Sequence, residues 1–252
     1  MKIIITAAGM GSRFLNVGIN VPKYLIKANK KTLLEHSLST LSNLFDEEFI
    51  FIFRNLENEK EIRKIIESCT NDNGKRIEKY KIININLLTK GQAETVLFAK
   101  QYLESNDSIL IYNIDTFVKN GNKHISKKNF ENVDGTIFTT KAPGEHWSFA
   151  KTEDNSNKVI QVTEKIKISD HASIGLYYFK NFNVYEEIIK KFGQKIIQDY
   201  KELYIMPIYQ YMIDQKMNVV ISDIPYRDFI PLGTPSEIFN FDNKFMSENK
   251  NV

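Results

Sequence analysis

The chain has one cysteine, Cys69, in 252 residues. A single thiol cannot close an internal disulfide, which favours a reducing compartment. No charge of one sign dominates: 34 Lys and Arg against 31 Asp and Glu leave a net +3, without the clustered basic surplus of a nucleic-acid binder. The N-terminal apolar run, residues 3–8, is too short for a signal core or a membrane span, and no long apolar segment follows it. Repeats, low-complexity tracts and linkers are missing as well. These absences exclude a disulfide scaffold, a nucleic-acid partner and a membrane-spanning protein, and a cytoplasmic location is expected. At 42% hydrophobic and 26% charged residues, the composition is that of an ordinary globular chain and rules out wholesale disorder.

The pattern that is present alternates. Residues 2–7 form an apolar, β-branched run of the kind buried on both faces of a sheet. Helical spacing follows over 32–45, with strands at 49–53, 81–88 and 108–112 and helices at 57–69 and 92–103. This β-α-β-α-β-α-β order predicts a mostly parallel, Rossmann-like central sheet with helices on both faces. Beyond Asp115 come strand candidates at 134–140, 147–152, 158–164 and 173–179, with a turn at Asp154-Asn155-Ser156-Asn157. They lack full helices between them, which predicts antiparallel strands added at the sheet edge. Helices at 182–192 and 202–215 and a strand at 217–222 follow. Thr234-Pro235-Ser236-Glu237 has the form of a helix start, and the last ten residues read as a frayed tail. Residues 1–252 are therefore read as one α/β unit.

The most informative segment leaves the first strand: Ala7-Ala8-Gly9-Met10-Gly11-Ser12-Arg13. Ligands of parallel sheets bind beyond the carboxyl ends of the strands. Two glycines let the backbone turn and present N–H groups to phosphate, and Arg13 adds a permanent cation. Lys23, after Pro22, is a second cation that a folded-back loop returns to the same place. The three-glycine dinucleotide fingerprint fails at Phe14, and the Gly-Lys-Ser/Thr ending of an ATPase loop is absent. A tight turn with no ligand is the plain alternative for the loop taken alone.

This loop, followed by VPKYLIKANKKTLLEHSLSTL, resembles the opening of the sugar-phosphate nucleotidyltransferases and related cytidylyltransferases. The resemblance continues in order through Gly91-Gln92-Ala93, Tyr112-Asn113-Ile114-Asp115, Val162-Thr163-Glu164-Lys165, Ile174-Gly175-Leu176-Tyr177 and Gly233-Thr234-Pro235. It implies attack of an acceptor phosphate on the α-phosphorus of an NTP, with pyrophosphate leaving. A phosphate monoester carries about −1.5 to −2 charge at neutral pH and is already a nucleophile. Cations and alignment are then the catalyst's task. Consistently, no nucleophile triad is recognisable, and the four histidines share no metal-ligand spacing.

The resemblance assigns Ala7, Ala8, Gly9, Gly11, Ser12, Gly91, Gln92 and Ala93 to the nucleotide, with Gln92 reading a base edge and Ala93 letting the base approach. It puts Arg13 on the β- and γ-phosphates and Lys23 beside the α-phosphate. Glu164 and Lys165 are assigned to the acceptor, and Gly175 leaves room for its body. Trp147, the only tryptophan, is a candidate acceptor wall. Asp115, just past a strand, is expected to hold Mg²⁺. The Asp that relatives often carry before Gly-Thr is replaced by Pro231 or Leu232, leaving Asp228 as the substitute. Residues 1–118 form the NTP half and 119–245 the acceptor half.

Ala7-Ala8-Gly9 resembles the cytidylyltransferase branches, whereas hexose-phosphate enzymes often have Gly-Gly. CTP and a small phosphorylated acceptor for a bacterial capsule or surface polysaccharide are therefore expected. Phosphoglutamine, choline phosphate and a sugar phosphate all fit, and the capsule-cluster phosphoglutamine type is especially similar. The alternatives are a sugar-1-phosphate uridylyl-, thymidylyl- or guanylyltransferase, or a catalytically silent nucleotide-binding subunit. A glycosyltransferase would need Asp-x-Asp, and Asn113-Ile114-Asp115 is the nearest approach. A homodimer is a possible assembly.

Overall fold

Ile3, Ile4 and Ile5 are fully buried in β1 (Lys2–Ala7), which lies inside the sheet and presents alternate side chains to opposite faces. The computed structural model describes residues 1–249. Along the chain follow α1 (Ser12–Leu15), β2 (Lys27–Ala28), β3 (Lys31–Thr32), α2 (Leu33–Thr40), β4 (Glu48–Arg54), α3 (Glu59–Ser68), β5 (Tyr80–Ile85), α4 (Gln92–Leu97) and β6 (Ile109–Asn113). Next come β7 (Thr116–Val118), α5 (Gly121–His124), β8 (Gly135–Thr140), β9 (Ser148–Thr152), β10 (Val159–Glu164) and β11 (Ala172–Phe179). The described chain closes with α6 (Phe182–Tyr200), α7 (Met206–Asp214), β12 (Val219–Asp223), β13 (Phe229–Pro231), α8 (Pro235–Phe241) and α9 (Phe245–Asn249).

The main sheet runs β10-β9-β11-β6-β1-β4-β5, with β8 joining β11 and β12. Strands β6, β1, β4 and β5 are mutually parallel. One face packs Ile3, Ile5, Phe49, Phe51 and Phe53 against α2 and α3. The other packs Ile4, Ile50, Ile52, Ile109 and Ile111 against α4, α6 and α7. The fold is therefore the mixed α/β class expected. The antiparallel strands are added at the edge of the parallel set: β11 pairs with β6, its outer strand, and β9, β10 and β8 extend the sheet from β11.

Local chemistry sets the helix ends. Thr32 and Glu35 form a reciprocal capping box that starts α2. Thr234 accepts a hydrogen bond from Glu237 N–H and Pro235 opens α8. Helix α6 runs beyond the expected end at Phe192 to Tyr200 and stops at Lys201, whose φ of 67° breaks the helix. The following helix starts at Met206 rather than 202, because the intervening backbone bonds elsewhere: Leu203 donates to Lys90 O and accepts from Ala93 N.

The frayed tail is also corrected as far as it is described. Phe245 is fully buried, and the Asn249 side-chain amide exchanges two 2.9 Å hydrogen bonds with the backbone of Lys27. A third apolar cluster joins Phe14, Ile19, Ile26 and Leu33 to Leu232, Ile238 and Phe245, fastening the loop after β1 to the last helices. Residues 250–252 of the expected tail lie outside the described residues.

Candidate active site

The loop leaving β1 turns at Gly11, which has φ of 66°, in the left-handed region that glycine enters without strain. The position where a Cβ would sit on Gly11 is 3.7 Å from Lys23 Cβ, so the returning Pro22-Lys23 segment packs on the turn. Lys23 Nζ donates to Asp115 Oδ2 at 2.6 Å, which brings the end of this loop to the end of β6.

Around this pair lie two cavities. The larger, about 660 Å³, is lined by Ala7, Ala8, Gly9, Ser12, Lys23, Gly91, Gln92 and Asp115, and also by Thr6, Lys201 and Glu202. Gln92 Nε2 donates to Thr6 Oγ1 at 2.9 Å, which fixes the amide against β1. Gly91 has a φ of 153°, and a Cβ there would stand 2.5 Å from Leu203 O, so only glycine fits. Gly11 sits beside this cavity, in a smaller one next to Lys23 and Pro22.

The second cavity, about 410 Å³, is lined by Arg13, Asn113, Asp115, Trp147, Gly175 and Glu237, together with Ser148 and Thr234. Asn113 and Asp115 line both cavities and form their common border. Arg13 has no ion pair or hydrogen-bond partner among the described residues. Trp147 donates from Nε1 to Pro143 O at 2.9 Å and packs edge-on to Phe229.

Several sequence assignments change. Arg13 lines the second cavity rather than the larger one. Ala93 is fully buried in the core and reaches neither cavity, its carbonyl accepting from Tyr185 Oη at 2.9 Å. Gly175 (φ 80°) does not leave open room: the Asn113 amide fills its missing side-chain position, 2.1 Å from where a Cβ would be. Glu164 is buried behind the second cavity and accepts from Ser148 Oγ, and burial raises its carboxyl above the usual range. Lys165 is turned away onto Tyr204, donating to Oη with Nζ 4.7 Å from the ring centroid.

Asp228 is not brought to Asp115. Antiparallel pairing of β13 with β7 sets Pro231 opposite Thr116 and carries Asp228 to Lys119, where the backbones bond and His124 Nε2 lies 2.8 Å from Asp228 Oδ2. The same ladder brings the Gly233 loop to Asp115, whose carbonyl accepts from Leu232 N. Among the described residues no group of three His, Cys, Asp or Glu side chains forms a ready metal cage.

Sequence reading missed Lys201, Glu202, Ser148 and Glu237. The first two come from the chain assigned to the acceptor half yet line the larger cavity, and no local motif announces them. Ser148 and Glu237 sit in segments read only as a strand and a helix start.

No helix among the described residues is long and apolar enough to cross a membrane. Residues 2–241 match the profile of a family described as nucleotidyl transferase. No curated protein matches the sequence. A solved structure described as a nucleoside-diphosphate-sugar pyrophosphorylase from Vibrio cholerae RC9 is similar, with 34% identity, 96% of this chain and 99% of that chain covered, and a TM-score of 0.83. Two more distant structures share the fold. One, described as an inositol-1-phosphate CTP transferase from T. maritima, has 15% identity, covers 99% and 96% of the two chains and gives 0.72. The other, a UDP-glucose pyrophosphorylase with UDP-glucose, has 14% identity, covers 98% of each chain and gives 0.73.

Proposed function

The chain belongs to the nucleotidyl transferase family, and from that premise we propose that it moves CMP from CTP onto a small phosphorylated acceptor with release of pyrophosphate. The observation that carries this reading is the 2.6 Å Lys23–Asp115 pair on the border of two cavities. In this reading the larger cavity takes the nucleotide and the second takes the acceptor. The α-phosphorus then lies where they meet.

Two anions have to be forced together, and the residues around the border answer that need. The loop of Ala7, Ala8, Gly9, Gly11 and Ser12 presents backbone to the triphosphate, and Gly91 and Gln92 close the cavity at the nucleoside. Lys23 neutralises charge developing at the α-phosphate. Arg13, unpaired and on the acceptor side, draws the second anion by its planar fork. Trp147 walls the acceptor cavity, and Glu164 orients the Ser148 hydroxyl from behind. No side-chain nucleophile is required.

The donors at the border suit Mg²⁺. Asp115 offers a carboxylate, and Asn113 Oδ1 is a buried oxygen with no hydrogen-bond partner, both hard ligands of the kind that ion takes. When bound, Mg²⁺ supplies Lewis-acid neutralisation of phosphate oxygens.

For the base, Ala7-Ala8-Gly9 in place of Gly-Gly favours the cytidylyl branch. Glu202 in the larger cavity adds a physical reason. A carboxylate only accepts hydrogen bonds, which suits the exocyclic amine of cytosine and opposes the carbonyl that uracil and thymine carry there. The acceptor class is a phosphorylated metabolite of surface-polysaccharide or capsule synthesis: phosphoglutamine, choline phosphate or a sugar phosphate. Residues 1–118 carry most of the nucleotide site and 119–245 most of the acceptor site, with Glu202 and Arg13 crossing between them.

Pyrophosphate release, measured with Mg²⁺, each of four NTPs and a panel of these acceptors, tests the proposal. Turnover confined to CTP with one phosphorylated acceptor is the expected result. Binding of nucleotide without release across the whole panel would establish a silent subunit instead.

A further inference from the structure

We propose that Glu237 supplies the second carboxylate for a divalent cation at Asp115, and that Lys23 competes with that cation for the same Asp115 oxygen. The proposal rests on the nucleotidyl-transfer reading and adds to it a ligand and a competitor.

The sequence leaves a gap at Pro231 and Leu232, and the structure removes Asp228 by tying it to His124. What converges on Asp115 instead is Glu237. A Cβ placed on Gly233 would lie 3.3 Å from Asp115 Oδ2 and 3.4 Å from Glu237 Oε2, so both carboxylates border one small space that glycine leaves open. A side chain at 233 would fill it.

Glu237 is also without its ordinary employment. It stands at the third position of a helix opened by Thr234, as Glu35 does after Thr32. Glu35 turns back and accepts from Thr32 N at 2.7 Å. Glu237 does not close such a box: Thr234 takes the Glu237 backbone N–H, and among the described residues the carboxylate has no hydrogen-bond or salt-bridge partner. Two facing carboxylates repel unless a positive charge lies between them. Asn113 Oδ1, buried and unpartnered on the same border, adds a neutral oxygen donor. Mg²⁺ is commonly held by one or two carboxylates with waters and substrate phosphates completing its shell, so a small set of this kind is sufficient.

Lys23 Nζ is 2.6 Å from Oδ2, the Asp115 oxygen that also borders the Gly233 space. An ammonium and a metal ion cannot both hold it at close range. Arrival of the cation therefore releases Lys23 towards the nucleotide cavity that it lines, which couples metal occupancy to the freeing of the catalytic charge.

The test is Mn²⁺ titration of the full chain, read by electron paramagnetic resonance without nucleotide or acceptor, with thermal melting to confirm folding. Glu237→Gln is expected to weaken Mn²⁺ binding about tenfold or more, and Glu61→Gln to leave it unchanged. Lys23→Met is expected to bind Mn²⁺ several-fold more tightly than the natural chain while losing turnover, a gain that a merely structural lysine would not produce. Wild-type affinity in Glu237→Gln, or no tightening in folded Lys23→Met, overturns the proposal. Glu237→Gln removes no ion pair, so it carries the test even where Lys23→Met fails to fold. The titration uses no substrate. Intact Mn²⁺ binding with no pyrophosphate release from any NTP would overturn the function alone, and the reverse would overturn only this assignment.

Discussion

Lys23 and Asp115 are 92 residues apart in sequence and 2.6 Å apart in space. The pair joins the loop after β1 to the loop after β6, two neighbouring parallel strands. It is mostly shielded, with side-chain exposures of 18% and 28%, and so retains more strength than an open surface pair.

Replacing Lys23 by alanine should lower turnover about a hundredfold or more while costing about 1 kcal/mol of stability. The loss of stability is real because Asp115 loses its partner, but it is small beside the kinetic effect. Parallel pyrophosphate-release kinetics and urea denaturation compare the two. Equal proportional losses in activity and folded fraction would contradict a role at the reacting phosphate.

Glu202→Gln should relax base choice. A neutral amide both donates and accepts, so the preference for CTP over UTP in kcat/KM should fall about tenfold, the worth of one hydrogen bond to a charged group. An unchanged ratio would remove Glu202 from the nucleotide.

Gly91→Ala should be severe and structural. The added methyl would meet Leu203 O at 2.5 Å in a segment whose backbone hydrogen bonds tie Lys90 and Ala93 to Leu203. A loss above about 2 kcal/mol is expected in urea unfolding. Gly9→Ala makes a useful contrast, since nothing lies within 4 Å of its Cβ position.

His36 gives a pH prediction with a definite sign. It is buried between Phe117 and Phe241, with Nδ1 unpartnered and Nε2 2.8 Å from Ala28 O. Burial, its largest influence, lowers its pKa below the ordinary value of 6.5, with Lys31 acting in the same direction. Between the folded and ordinary values the unfolded chain binds the proton more readily. The contribution to stability is therefore complete above about pH 6.5 and is lost as pH falls towards the lowered folded value. His36→Gln should flatten this acid limb in melting curves between pH 8 and pH 5. A limb of unchanged slope would place the acid sensitivity elsewhere.

Much of the lining of the larger cavity was legible because its signals are local. The β1 run, the glycine turn and Pro22-Lys23 are contiguous stretches whose physics acts over a few residues. The other side depends on pairings that no periodicity specifies. Residues 173–179 read correctly as a strand, but nothing in them tells that β11 lies against β6. Asp228 was misjudged because closeness in sequence to Gly233 was taken for closeness in space. An antiparallel ladder turns five residues of separation into displacement along β7. Glu237 was hidden for a different reason: an acid three residues after a threonine ordinarily serves its own helix, and only coordinates reveal that this one does not.

The clasp between Lys27 and Asn249, with Phe14 packed edge-on to Phe245 at 6.4 Å, has a consequence for synthesis. The glycine turn after β1 is translated more than two hundred residues before the surface that braces it. Until then the turn has only part of its support. It should stiffen abruptly, once α8 and α9 have been made and can pack on it.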